Sequence, residues 1–230
     1  MTFIFQLSLD TGNIPDDWRE ENMVALFKKG DRHQASNYRP VSLTSVSCKI
    51  LEHVIHSQII DHFDRWNILT DKQHGFRRRR SCESQLIITI DALAKSLAKG
   101  EQVDVILLDF SKAFDKVPHH RLLHKLDYYG VRGNTWKWVQ DFLSKRMQKV
   151  VLDGVTSSCA DVISGVPQGT VMGPLLFLTF INDLPEHTTS DVRLFADDCL
   201  LYRHIRNDED AAALQKDLTS LQQWEEAWQM

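Results

Sequence analysis

Three aspartates carry the strongest chemical signal in the chain. Asp109 ends the run Val103-Asp104-Val105-Ile106-Leu107-Leu108, and Asp197-Asp198 stands between two short apolar runs, Val192 to Ala196 and Cys199 to Tyr202. Carboxylates emerging from apolar surroundings are costly unless neutralised, so a cation is expected beside them. Hard oxygen donors with no nearby Cys/His pair suit Mg²⁺ better than zinc, and two such ions are a known means of moving phosphoryl groups. On spacing alone a blander reading stays open, in which Asp109 caps the next helix and Asp197-Asp198 is a polar turn. If the site forms, the adjacent pair should split its side chains, with Asp109 and Asp197 the closest two.

Two further segments could meet phosphate. Arg77-Arg78-Arg79-Arg80 follows Gly75-Phe76 and concentrates positive charge, although such a run taken alone is more often a solvated face or a helix start. Gly165-Val166-Pro167-Gln168-Gly169 is a stiff, kinked entry to a helix whose first amides favour phosphate or a sugar. Lys28-Lys29-Gly30 reads as a solvated turn, and Trp136 with Trp138 as core packing.

These residues need elements to hold them. Asn22 to Phe27 reads as a strand, and Ser45 to Asn67 as a helix by the spacing of Ile50, Val54, Ile55, Ile59 and Phe63. A helix over 82–99 ends at Gly100. Val103 to Phe110, with little alternation, predicts a strand buried on both faces. Pro118 suits the start of a helix through Tyr129, Asn134 to Lys145 forms another, and Lys149 to Asp153 is a strand turning at Asp153-Gly154. A strongly apolar helix follows Gly169 and stops near Asp183. Asp197-Asp198 then tips a hairpin, and Ala211, Leu214, Leu218, Leu221, Trp224 and Trp228 line one face of a last helix.

Composition bounds the rest. The 230 residues are 43% apolar and 25% charged, a globular balance with no low-complexity stretch or linker. With 27 basic and 31 acidic residues the net charge is −4, which excludes a uniformly basic nucleic-acid coat. Asp208, Glu209, Asp210, Asp217, Glu225 and Glu226 place the surplus acid at the C-terminal end. Four cysteines without a C-x-x-C pair argue for a reducing compartment, and no stretch has the length or flanks of a signal peptide or membrane span.

In order and wording, the motifs resemble the reverse transcriptases of jockey-like non-LTR (LINE-type) retrotransposons. Asn37-Tyr38-Arg39-Pro40-Val41-Ser42-Leu43 resembles the NYRPISL block of the fingers. Gln73-His74-Gly75-Phe76-Arg77, with Arg80-Ser81 and Gln85-Leu86, resembles the following G-F-R-x-x-R-S block. Asp109-Phe110-Ser111-Lys112-Ala113-Phe114-Asp115 is similar to polymerase motif A. Gly165 to Thr170, with Gly173-Pro174-Leu175-Leu176, is similar to motif B, and Phe195-Ala196-Asp197-Asp198 to motif C. Thr170, Cys82 and Val41 depart from the usual wording, and none is a metal ligand of the pattern.

The resemblance implies an α/β (α+β) polymerase palm, a small antiparallel sheet backed by helices, joined to mainly helical fingers. Residues 1–101 would be fingers and residues 102–230 palm, the chain opening inside the first fingers element and stopping before the primer grip and thumb. It implies an RNA-directed DNA polymerase with two Mg²⁺ ions, or Mn²⁺ in their place, held by Asp109, Asp197, Asp198 and the Phe110 carbonyl. Phe114 would be the steric gate under the sugar. Gln168 and Gly169 would touch the nucleotide, and Arg77, Arg80, Gly165 and Pro167 would join Gln168 in contacting nucleic acid or triphosphate. The partners would be an RNA template, a DNA primer or target and dNTPs, with no membrane, in the nucleus or a cytoplasmic ribonucleoprotein. The alternative is a catalytically silent remnant that at most binds nucleic acid.

Overall fold

The structure, a computed structural model, describes residues 1–230. Its backbone gathers into two compact units, each made from two chain segments: residues 1–66 with 114–177, and residues 67–113 with 178–230.

In the first unit, β1 (Glu20–Phe27) pairs antiparallel with β2 (Tyr38–Leu43) and parallel with β4 (Arg146–Leu152), which also carries the short strands β5 (Val155–Thr156) and β6 (Ala160–Val162). The turn from β4 to β5 is Asp153-Gly154, both at positive φ (50° and 80°), as the Asp-Gly signal requires. α1 (Thr2–Thr11) packs on α6 (Gly133–Leu143), where the Trp138 indole donates to Ser8 Oγ at 3.0 Å. α5 (His119–Tyr128) starts after Pro118 and packs on α6, and α2 (Val46–Arg65) brings His62 to 2.9 Å from the Tyr129 carbonyl.

The sequence spacing locates α2 but not its inner face. Ile50 and Val54 are 48% and 49% exposed, and the buried stripe is Cys48, Leu51, Glu52, Ile55, Ile59, Ile60 and Phe63. A carboxylate takes a core position there because it has backbone donors to meet, as described below.

In the second unit, β3 (Gln102–Asp109), β8 (Asp198–Ile205) and β7 (Asp191–Phe195) form a small antiparallel sheet in the order β3-β8-β7. α3 (Cys82–Ala98) and α8 (Asp208–Trp228) pack on its strands. α3 begins at a reciprocal Ser81–Ser84 capping box. α8 begins at Asn207, whose side chain accepts from the Asp210 amide, and Asp208, Glu209 and Asp210 fill its first turn. Part of the surplus acid thus sits where the helix dipole favours it.

β3 departs from the sequence reading. Its unalternating apolar run predicts burial on both faces, yet it is an edge strand with one neighbour, and Val105 and Leu107 are 43% and 81% exposed. Two further helices are the single turn α4 (Ala113–Lys116) and the almost wholly apolar α7 (Met172–Ile181). No helix is long and apolar enough to cross a membrane.

Candidate active site

Strand register sets the acidic cluster. Across the β3–β8 ladder Asp109 lies directly opposite Asp198, and Phe195 opposite Asp198 closes the β7–β8 hairpin on a two-residue turn of Ala196 and Asp197. Directly opposed residues share a sheet face with Cα atoms about 4.5–5.5 Å apart. Asp198 is the strand residue facing Asp109, while Asp197 belongs to the turn and leaves the ladder. Neither Asp109 nor Asp198 is sunk in apolar surroundings, since both are exposed and Asp197 is half-buried.

Like charges set the electrostatics. The Asp198 carboxyl is held above its ordinary range by partial burial, then by the negative charges of Asp197 and Asp109. No basic group contributes to that balance, and none of the three aspartates forms a salt bridge. In chemistry the donor set, all carboxylate oxygen and mutually repulsive, fits a hard divalent ion. In geometry the three side chains are not gathered around one point, since no group of three or more acidic, histidine or cysteine side chains is placed to hold a metal ion together. Beside it the Phe110 ring meets Trp224 edge to face, with centroids 6.2 Å apart.

The hairpin turn is strained and clamped. Ala196 has φ 53°, a region where a side chain costs roughly 1–2 kcal/mol. One side chain, Gln73, bonds both its amide and its carbonyl. Sequence reading quotes Gln73 only as a member of its block, because the partner is 123 residues away.

The basic run is partly committed to its own loop. Arg77 donates to the Thr70 carbonyl at 3.0 Å, and Arg80 bonds the Asp71 carbonyl and pairs with its carboxylate, leaving Arg78 and Arg79 exposed.

In the first unit the glycine-framed loop is built against its surroundings with little slack. The Gly165 amide donates to the Val117 carbonyl at 2.8 Å, the Val166 amide to that of Phe114 at 2.7 Å, and Ser164 Oγ to that of Asp115 at 3.0 Å. A Cβ on Gly165, at φ 90°, would lie 2.7 Å from the Asp115 carbonyl oxygen, so only glycine fits. His119 Nε2 lies 2.8 Å from the Gly165 carbonyl, an acceptor, so the ring donates there. Burial pushes the pKa of His119 down, which favours its neutral form. Pro167 follows, and the Gln168 side-chain Nε2 donates to the Asp115 carboxylate at 2.9 Å while the Gln168 backbone carbonyl accepts from the Ser42 amide at 2.7 Å. Gly169, at φ 103°, lies so close to β2 that a Cβ would be 2.7 Å from the Ser42 carbonyl oxygen.

Past the loop, the Glu52 carboxylate accepts from the Val171 and Met172 amides at 2.8 and 2.9 Å, capping α7 from α2. Phe114 is half-buried and stacks on Phe177, with centroids 4.3 Å apart and rings 16° from parallel.

The cysteines take no part. All four are free. Burial first, then the Glu52 charge, pushes the Cys48 thiol far up, and burial pushes Cys199 up to about 12, so neither supplies a thiolate at neutral pH.

Residues 27–230 match the family described as reverse transcriptase (RNA-dependent DNA polymerase). The chain belongs to this family. It is 31% identical over 238 residues to the RNA-directed DNA polymerase from mobile element jockey of Drosophila melanogaster, covering 99% of this chain and 26% of that protein. It is 30% identical over 244 residues to the probable RNA-directed DNA polymerase from transposon BS of the same fly, again covering 99% and 26%. The reverse transcriptase chain thus spans about a quarter of the length of these relatives. In fold it is similar to a solved apo telomerase from Candida tropicalis truncated from its C-terminal domain. The TM-score is 0.59 at 10% identity, over 95% of this chain and 50% of that one. The polymerase reading of the α/β fold holds, and reverse transcriptases as a family generally use divalent metals.

Proposed function

We propose that the chain catalyses RNA-directed DNA synthesis for a non-LTR retrotransposon, adding dNTPs to the 3′-hydroxyl of a DNA primer or target on an RNA template. The observation that carries this reading is the opposition of Asp109 and Asp198 on β3 and β8, with Asp197 in the adjoining turn, in a chain of the reverse transcriptase family. Asp109, Asp197, Asp198 and the Phe110 carbonyl would hold two Mg²⁺ ions, with Mn²⁺ able to replace them. Bound there, the ions would acidify the primer hydroxyl and neutralise the triphosphate. The reaction joins the 3′-oxygen to the α-phosphorus and releases pyrophosphate.

The other residues bind and orient. Phe114 bars a 2′-hydroxyl, with Phe177 fixing the plane of its ring. Gln168 and Gly169 meet the nucleotide, with Asp115 and Ser42 setting the loop that carries them. Gly165 and Pro167 keep that loop close to the template strand. Arg77 and Arg80 contribute from a loop that their own bonds to Thr70 and Asp71 hold in place. In this reading residues 1–101 act as fingers and residues 102–230 as palm, and the protein works in the nucleus or in a cytoplasmic ribonucleoprotein.

The test is single-nucleotide incorporation on an oligo(dT)-primed poly(rA) template by the 230-residue chain in excess. The unaltered chain should incorporate dTTP with Mg²⁺, while Asp109→Asn and Asp197→Asn, folded by circular dichroism, should lose at least about a thousandfold, the scale of electrostatic transition-state stabilisation. Template-primer binding without incorporation by the unaltered chain would leave a nucleic-acid-binding module instead.

A further inference from the structure

Gln73 is 3% exposed and lies in a loop far from the aspartates in sequence. Its Oε1 accepts from the Gly75 amide at 2.7 Å and the Ala196 amide at 2.9 Å, and its Nε2 donates to the Ala196 carbonyl at 3.1 Å. A buried glutamine satisfied by backbone is ordinary; here both ends of the side chain fall on the same residue. That residue is the one between β7 and Asp197, and its φ of 53° is unfavourable for alanine.

The surrounding chain holds Gln73 in register. Lys72 to His74 runs parallel to β7, with the Leu194 amide donating to the Lys72 carbonyl and the His74 amide to the Leu194 carbonyl, both at 2.9 Å. Gly75 closes the approach, since a Cβ there would lie 2.2 Å from the Ala196 nitrogen. In a two-residue hairpin loop the first residue's backbone fixes where the second side chain leaves the turn.

We propose that Gln73 is a positioning residue for the acidic cluster: by holding both backbone groups of Ala196 it keeps the turn left-handed and aims Asp197 and Asp198. The inference rests on the reading of these aspartates as metal ligands, and its test separates the two. Supporting groups around metal sites act in this way, through the orientation of the ligands they hold.

The experiment uses the 230-residue chain with Gln73→Met and Gln73→Glu, reading amide hydrogen exchange, Mn²⁺ binding without nucleic acid, and dTTP incorporation. Gln73→Met removes every side-chain bond. It should speed exchange at Ala196, Asp197 and Asp198 while leaving β1 and β4 unchanged, and weaken Mn²⁺ binding by about tenfold or more. It should also lower kcat with the dTTP KM unchanged. Gln73→Glu keeps the acceptor and should fall between; if Gln73→Met does not fold, the Glu variant carries the test. Unchanged Mn²⁺ affinity and unchanged hairpin exchange in a folded variant would overturn the proposal, as would faster exchange spread evenly over the chain. Asp109→Asn leaves the clamp intact, so it should lose Mn²⁺ binding with hairpin exchange unaltered. If it binds Mn²⁺ normally, the metal reading falls and hairpin exchange alone decides the clamp.

Discussion

Asp109, Asp197 and Asp198 are legible in the sequence because each interrupts an apolar run, which is a local signal. Gln73, Glu52 and His119 are not, because their partners lie 123, 119 and 46 residues away and nothing beside them in sequence announces the contact. Phe114 shows how one residue answers to two demands. Its ring stacks on Phe177 while staying half-exposed, so packing and a role toward the sugar are compatible. Phe114→Ala should cost about 1–2 kcal/mol in urea unfolding, the loss of a stacked pair plus partial burial. It should also admit rNTPs while dNTP use falls modestly. A folded, active variant that still rejects rNTPs would leave Phe114 a packing residue.

Element positions follow from spacing, caps and turn residues, and so the helices and the two hairpins read from the sequence stand near where it puts them, whereas α1 and α4 carry no such signal and stand outside that reading. Faces do not follow so readily. α2 has apolar residues on more than one side, and the choice between them is made by what its neighbours need. The amides of Val171 and Met172 need an acceptor, so Glu52, fully buried, takes an inward position and Ile50 and Val54 turn outward. β3 misleads similarly, since an unalternating run permits burial on two faces but cannot supply the elements to cover them. The Glu52 cap joins a carboxylate to two donors at a helix N-terminus, where charge-assisted bonds are strongest. Glu52→Gln keeps an acceptor but loses the charge, and should lower stability by about 1–3 kcal/mol in urea unfolding. A change within about 0.5 kcal/mol, the usual range for inconsequential substitutions, would mean that the α7 amides find another acceptor.

The whole molecule depends on partners distant in sequence. β1 reaches β4 across the chain, and beneath that pairing Arg146 donates to Glu21 at 2.9 Å with the two side chains 1% and 3% exposed. Neither residue stands out in the sequence, because an isolated Arg or Glu in a strand reads as solvated. Removing one partner strands a buried charge, so Arg146→Met should cost about 3–5 kcal/mol, while Glu21→Met with Arg146→Met should restore most of the loss. A double variant no more stable than the single would show that the contact of Arg146 with Phe142, not the ion pair, matters.

The same interior sets the response to acid. Burial is the leading cause lowering the pKa of both His119 and His74, with Arg146 adding to the effect at His119 and Arg80 at His74. The unfolded chain, with histidines near pKa 6.5, therefore takes up protons before the folded one does. Stability contributed by the neutral rings is present above that value and is lost as pH falls through it toward the lower folded pKa values. Asp217 acts in a separate, more acidic window. Its burial alone would raise its pKa, but bonds from Thr189 and Ser190 outweigh burial and lower it, so its contribution is lost only near the carboxylate range. The urea midpoint should accordingly fall between about pH 7 and pH 5.5, above the ordinary carboxylate range. His119→Gln retains a donor for the Gly165 carbonyl but cannot be protonated, so it should flatten that slope while leaving the decline at lower pH in place. A midpoint that stays level down to about pH 5, or a slope that His119→Gln leaves untouched, would mean that the His119 ring is hydrated in solution and does not tie the Gly165 loop to the histidine titration.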